Sequence, residues 1–599
     1  MLLSVAFTGC SSKTDDEAVE DVTDTASEST MTLTMYLMSE GEISDEQASK
    51  IEDAVNKITK SKFKTKLVLH YFTEAEYNTA LENAFKATED AKAAKKAAEQ
   101  ALKDAIKRGE ATAAATTTAG ETEEETIVNE YGVTELKYPS VEDYQVDIFY
   151  LGGYDKFMEY LGNEWLSRLD EELTSSSKLL NDYVAPEYLT YMKQIGGGTY
   201  AIPNNTVVGE YTYLLLNKEV LAKYDYSNTK SFTSLTCDDV KDLLANVAKY
   251  NKNEYLPLYS ATGELDVSNV NYYGLDENGK LSREFSVIGG TYDTSYSYKG
   301  KNQFYSFNSV FSDSGFQKQI QTLVQYKENG YYGDETNANL PFAVGYVKGG
   351  AQLAEQYGED YEMVVVESPK ISTEDIFANM FAVGSYTSSV SRSMKIITYL
   401  NTNVDFRNLI LYGIEGENYE LVDTKVENAK GETYKAVRML EGNTYLMNAE
   451  KTGNTLITYP MEGELPNIRD YQMKQNRDMT VMLDMGFAVN YDDNVINSTS
   501  MAKVRELSAD LYDKLMACST MAELEEFLNG KEAVEEEPAV VGVKALCLTD
   551  DNISLMRNAQ YSTDHDEYGE KSRVFGEGVS FAYIYMTWLT DMGIYVEEA

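Results

Sequence analysis

Near its start the chain switches repeatedly between two apolar periods, and that switching constrains the fold more than any other feature. Met31 to Met38 (MTLTMYLM) carries apolar side chains densely enough for burial on both faces, as strands of a parallel sheet do. Helical spacing follows at Ile51, Ala54, Val55 and Ile58, behind Ser44 as a cap and Asp45 and Glu46 at the positive helix end. Lys66 to Tyr71 (KLVLHY) predicts a second strand, and Thr73 caps a second helix through Phe85. The order strand, helix, strand, helix predicts a parallel α/β sheet. It resumes at Gln145 to Leu151 (QVDIFYL), with Gly152, Gly153 and Tyr154 opening the next helix.

Between these stretches, Lys86 to Arg108 is rich in Ala, Lys and Glu, and a Thr/Ala/Glu tract runs on to Glu125. The first part has no apolar stripe to bury and predicts a solvated helix extension; the second predicts a flexible loop. Both read as an insertion.

The 599 residues divide naturally into two or three domains. A net charge of -46, from 98 acidic and 52 basic residues, repels phosphate backbones, so nucleic acid is not an expected partner. His70 and His565 are the only histidines, which starves Ser-His and Cys-His mechanisms of a base and leaves no three-histidine zinc site. Cys10, Cys237, Cys518 and Cys547 form no CxxC motif; pairing of Cys518 with Cys547 stays open. No metal and no cofactor is expected. No segment offers the run of about 18 apolar residues that spans a bilayer.

Several strings then occur in a telling order. They are Asp147-Ile148-Phe149, Trp165-Leu166 with Leu169-Asp170, Pro186-Glu187-Tyr188, Tyr200 to Asn205 (YAIPNN) and Tyr211 to Glu219 (YTYLLLNKE). Leu340 to Gly345, Met363 to Pro369, Phe381 to Ser389 and Tyr412 to Tyr419 (YGIEGENY) follow, the last with Asn418 where His is usual. The series resembles the extracellular solute-binding lipoproteins of Firmicute-type carbohydrate ABC importers. That resemblance implies an α/β, two-lobed, periplasmic-binding-protein-like fold with hinge strands between the lobes. Residues 31–205 would form lobe 1, residues 206–376 lobe 2, residues 377–420 a return to lobe 1, and residues 421–599 mainly lobe 2 and C-terminal helices.

It also implies a function without chemistry: capture of a carbohydrate, in first place an oligosaccharide, in the interlobe cleft, and delivery to the permease subunits of the membrane. A peptide or other polar solute is the second ligand class. A glycosidase using a carboxylate pair and a structural surface adhesin are the alternatives outside transport. Leu2 to Phe7, followed by Thr8, Gly9 and Cys10, resembles the end of a bacterial lipoprotein signal. By that likeness Cys10 would carry lipid, and residues 1–30 would be signal remnant and polar tether on the extracellular face of the membrane.

Open α/β sheets leave their crevice beyond the C-terminal ends of the strands, which selects the loops Ser39 to Glu42, Gly152 to Tyr154, Tyr346 to Gly350 and Ser385 to Ser389. A sugar presents a rim of hydroxyls and a face of C–H groups, so its site needs polar side chains beside flat rings. Tyrosine supplies both, and the chain has 47 tyrosines against 20 phenylalanines. The expected ligand contacts are therefore the rings of Tyr36, Tyr154, Tyr211, Tyr346 and Tyr386, with Glu40, Asn204, Asn205 and Lys348 as polar partners. Asn204 and Asn205 equally suit a turn after Pro203. Trp165 and Trp588 read as core residues.

Overall fold

The structure is a computed structural model that describes residues 30–108, 145–260, 287–293, 304–333, 339–425, 433–481, 499–533 and 539–546, with short strand pairs at 126–128 and 134–136, 274–275 and 281–282, and 564–565 and 571–572. Cys10 and the tether, the tract from 109 to Glu125, Cys547 and Trp588 lie outside the described residues.

Strand β1 (Met31–Ser39) is buried from Leu33 onward, as its apolar run requires. Helix α1 (Asp45–Phe63) begins where Ser44 accepts the Gln47 N–H, and it turns Ile51 and Val55 into the core. The chain reverses at Lys64 in left-handed backbone and enters β2 (Thr65–Thr73), which pairs in parallel with β1 along its whole length. Helix α2 (Glu74–Arg108) joins the expected helix and its extension without a break. Tyr77, Leu81, Ala84 and Phe85 anchor its first half. Past Thr88 no described side chain of α2 is buried.

Strand β3 (Ile148–Leu151) lies parallel to β1 and leads into α3 (Tyr154–Gly162). After β4 (Ala201–Pro203) the chain crosses to a second sheet. That sheet is built from β5 (Tyr211–Asn217), β6 (Leu256–Ser260), β7 (Phe342–Gly349) and β8 (Tyr361–Glu367), with α4 (Asp238–Tyr250) and α5 (Ser314–Glu328) in the connections between them. The chain returns through β9 (Met380–Val383), α6 (Val390–Thr402), α7 (Val404–Tyr412) and the hairpin β10 (Tyr419–Thr424) and β11 (Tyr434–Met439). Helix α8 (Ile468–Arg477) leads to the last crossing, before α9 (Thr499–Ala517) and α10 (Met521–Asn529).

Two α/β lobes result. Lobe 1 has the strand order β2-β1-β3-β9-β4 and lobe 2 the order β8-β5-β7-β6. Each has its own apolar core, one centred on Leu33, Ile148 and Val383, the other on Leu214, Val344 and the helix residues Leu243, Leu323 and Leu524. Three segments join them: residues 204–210, residues 368–379, and a third whose described part is residues 478–481 after α8. The second and third pair side by side, Lys370–Ile371 against Thr480–Val481 in parallel.

Two expectations are corrected. Residues 421–461, expected mainly with lobe 2, pack on lobe 1 through Val437, Tyr445 and Met447. The hairpin and the loop after it cover apolar surface that α7 leaves open, and Tyr445 donates its hydroxyl to the Ile410 carbonyl. The loop Ser385 to Ser389 does not lie at the crevice, because β9 runs antiparallel to β3 and its C-terminal end falls at the opposite edge of the sheet. There the buried carboxylate of Asp147 accepts the Thr387 hydroxyl and the Ser388 N–H, together with the Thr34 N–H and the Gln145 amide. Tyr386 goes with that loop. Its ring lies under Lys92, 3.6 Å from Nζ to the centroid, and its hydroxyl donates to Glu89.

Candidate functional site

All three crossings leave lobe 1 where β1, β3 and β4 end and β9 begins, so that edge faces lobe 2. Its residues come from stretches far apart in sequence. Glu40, just past β1, is exposed; its N–H donates to the Leu446 carbonyl and its carboxylate accepts from Asn448. Lys451 Nζ reaches Glu74 at 3.0 Å and rests 3.4 Å from the Met38 sulfur. The Tyr150 hydroxyl donates to Asn379 Oδ1 at 2.8 Å, and burial, reinforced by the charges of Glu74 and Glu450, pushes that phenol well above its ordinary value. It therefore stays a neutral donor at any physiological pH. Tyr154 is half-buried at the start of α3, its ring edge-on to Phe377 at 5.3 Å.

Gly152 makes this corner possible. A Cβ there would sit 2.3 Å from the Tyr150 hydroxyl and 3.2 Å from the Ala378 carbonyl. Only glycine lets the chain turn beneath the tyrosine.

Asn204 and Asn205 tie the first crossing down. Asn204 is 2% exposed; its amide donates to the Glu450 carbonyl and its N–H to the Asn379 carbonyl. The Asn205 carbonyl accepts the Thr455 N–H, and its side chain accepts from Asn476. Helix α8 fastens the same crossing from the other side. Gln475, almost fully buried, donates to the Val208 and Gly209 carbonyls and accepts the Ala351 N–H of lobe 2. At its other end Arg469 holds Thr458 and Glu464 of lobe 1. The helix thus grips both lobes across the hinge.

On lobe 2 the facing edge holds the start of β5 and the ends of β6, β7 and β8. Tyr211 is committed there: its ring stacks on Tyr213 at 5.1 Å and its hydroxyl donates to Asp478 at 2.7 Å. Tyr346 is buried in the lobe 2 core, opposite Leu214. Lys348 lies half-buried at the end of β7, opposite Thr212. Farther from the hinge, on the face of the same sheet, Tyr259 stands opposite Gly345, is 38% exposed and stacks on Phe342 at 5.1 Å, which in turn stacks on Tyr361 at 4.5 Å. Gly345 makes room for that stack, since a Cβ there would meet the Phe342 ring at 2.4 Å.

The expected residues thus separate into groups. Glu40, Tyr154, Asn204, Asn205 and Lys348 lie along the facing edges, and Tyr211 lies there too but is buried on Tyr213 and Asp478. Tyr36 and Tyr346 are enclosed in their lobes, Tyr36 against His70 and Phe72, while Tyr386 lies at the far edge. Sequence reasoning missed Tyr150, Tyr259, Asn379, Asn448 and Lys451. Tyr150 had a signal, since it precedes the Gly152-Gly153 turn by two residues. Asn448 and Lys451 had none, because they lie in irregular chain without a period.

No protein-family model matches the chain. A carbohydrate ABC transporter substrate-binding protein of Streptococcus pneumoniae serotype 4 is 23% identical over 304 residues, 47% of this chain and 54% of the relative. The chain is similar to a carbohydrate transport receptor. It spans about half the length of that curated relative, and the resemblance read from the segment order is borne out by it. Among solved structures, the N-glycan transport solute binding protein NgtS of Streptococcus pneumoniae is 18% identical, with 82% of this chain and 93% of that chain covered and a TM-score of 0.42. A HMO-binding ABC-transporter-associated solute binding protein of Bifidobacterium longum infantis is 12% identical, with 89% and 97% covered and a TM-score of 0.37.

Proposed function

We propose that this chain is the extracellular solute-binding component of an ABC importer, which captures an oligosaccharide between its lobes and presents it to membrane permease subunits. The observation that carries this reading is the pairing of unlike edges across a hinge of three crossings. Lobe 1 brings carboxylates, amides, an ammonium and a neutral phenol; lobe 2 brings Lys348 at its edge and, on the adjoining face of its sheet, a supported, partly exposed ring in Tyr259. That combination suits a ligand with a hydroxyl rim and a C–H face. The sequence similarity to a carbohydrate substrate-binding protein supports the same solute class.

Glu40, Tyr154, Asn204, Asn205 and Lys348 serve the cleft in this reading. Tyr36, Tyr211 and Tyr346 support it from within the lobes, and Tyr386 stands outside it. Closure needs contacts made to both lobes by the same solute, because only differential contacts shift a two-state equilibrium. Lipid on Cys10 would hold the receptor at the outer face of the membrane. Among the described residues no helix is long and apolar enough to cross a bilayer.

The test is a thermal-shift screen of the purified chain against oligosaccharides and peptides, with product analysis of each mixture. Saturable stabilisation by a saccharide without turnover is the expected result. Stabilisation by peptides alone would redirect the solute class, and saccharide turnover would replace the receptor with a glycosidase. Tyr259→Ala should weaken the saccharide about fivefold to tenfold, the scale of one lost ring contact, with little change in the melting temperature of the free protein.

A further inference from the structure

Beside the cleft edge of lobe 1 lies a depression of 660 Å³, where the edge strand β2 turns into α2. Its volume falls inside the range of about 300 to 1,000 Å³ typical of small-molecule sites. The loop Ser39 to Ile43 is one wall, so the depression and the cleft share a rim. That wall is braced: the Ser39 hydroxyl, with one hydrogen to donate, lies 2.8 Å from the Gly41 carbonyl and 3.2 Å from the Phe72 carbonyl.

The lining divides into an apolar part, with the rings of Tyr71 and Phe72 and the side chain of Ile43, and a polar border. Phe72 is held from behind by Tyr36, the two rings lying 6.0 Å apart and nearly parallel at 15°. Across from it runs the outer face of α2, where Ala75 and Ala80 keep the space open and Glu76, Thr79 and Asn83 supply acceptors and donors. Glu76 is fixed by the Thr73 hydroxyl at 2.8 Å. Glu42 adds a second carboxylate, and no Lys or Arg is among the lining residues. A flat apolar ring bordered by hydroxyl-binding groups, with two carboxylates and no cation, accepts an uncharged sugar ring and repels uronates, sialates and sulfated sugars.

We infer that this depression is a second saccharide subsite, which takes the uncharged end of an oligosaccharide whose other units lie in the cleft. It rests on the receptor reading above and adds to it a ligand length and a charge. Tyr36 acquires a role by the same geometry: it positions the Phe72 platform without touching the sugar. The receptor should therefore prefer longer neutral oligosaccharides to disaccharides.

The full chain is first screened against neutral oligosaccharides of graded length, and the shortest and longest binders are carried forward to calorimetry with Phe72→Ala and Asn83→Trp. Asn83 is exposed on α2, so a bulky residue there fills the depression without disturbing a core. Both variants should weaken the longest ligand about fivefold to tenfold and leave the shortest unchanged. A counterpart of the long ligand ending in a uronic acid should bind wild type no better than the short one. Equal affinity of the folded variants and wild type for the long ligand would overturn the subsite alone. So would an equal loss at both lengths, or a gain from the uronate end. If wild type binds no saccharide at all, the receptor reading falls and the subsite with it.

Discussion

The two edges that face each other across the hinge are made in opposite ways. The lobe 2 side is a product of strand alternation: alternate positions of β5 carry Tyr211, at the hinge end, and Tyr213 on one face, and the neighbouring strands bring Tyr259, opposite Gly345, and Tyr361, opposite Asn217, to the same face farther from the hinge. The lobe 1 edge is a product of tethers. Its polar groups sit on the ends of β1 and β3, on residue 379 and on the irregular stretch 448–451, which would have no fixed place without contacts from beneath.

Arg407 provides two of those contacts, beside the Asn204 amide on the Glu450 carbonyl and the Asn454 amide on the Asn401 carbonyl. It is fully buried, donating to the Asn454 carbonyl at 2.9 Å and the Ala449 carbonyl at 2.7 Å. Burial without a carboxylate partner pulls its pKa down to about 9. A charge so placed is costly to bury and is tolerated only where carbonyl dipoles replace water. A ring edge follows from a two-residue period, whereas a polar rim has to be held by specific buried donors.

Breaking the tether tests that difference most severely. Arg407→Ala should leave two buried carbonyls unpaired and a cavity beside Leu400, costing about 3 to 5 kcal/mol in chemical denaturation. A variant as stable as wild type would show that the loop 448–458 is placed by something else. A smaller effect is expected at the corner of the same rim. Gly152→Ala should cost about 1 to 3 kcal/mol by displacing the Tyr150 hydroxyl from Asn379, and Tyr150→Phe in that background should recover part of it. Additive losses in this double-mutant cycle would dissolve the proposed contact.

The smallest effect belongs to lobe 2. The Lys474 ammonium, at 2.6 Å, and the Tyr211 hydroxyl hold the Asp478 carboxyl below its usual range. A depressed folded pKa gives stability that is present above the ordinary carboxylate value and lost as pH falls through the folded value. Both charges are about half exposed, so screening keeps the contribution below about 1 kcal/mol. Lys474→Met should flatten this part of the acid melting curve and leave the neutral melting temperature nearly unchanged. A large drop at neutral pH would mean that α8 matters more to the hinge than the tyrosine face does.

Regular elements were legible in the chain because each declares itself over a few consecutive residues. The apolar run of β1, the Ser44 cap and the strand Tyr211 to Asn217 occur where their patterns place them. Ring exposure was not legible. Tyr36 and Tyr346 stand near strand ends, yet neighbouring layers cover them, and burial depends on what packs above a residue. The direction of β9 was equally hidden, since a four-residue apolar strand reads the same whether it pairs parallel or antiparallel. That reversal moved Tyr386 from the expected cleft to the far edge.

By itself, the sequence determined an α/β chain of alternating buried strands and capped helices, in an order similar to that of a carbohydrate-binding importer component, because periods and caps are local properties of the chain. Tertiary structure alone decided which polar groups meet at the cleft. Glu40, Glu74, Tyr150, Asn379 and Lys451 converge only once parallel strands end at one edge and a buried arginine draws the loop 448–458 onto it, and contacts between residues hundreds of positions apart leave no period to read.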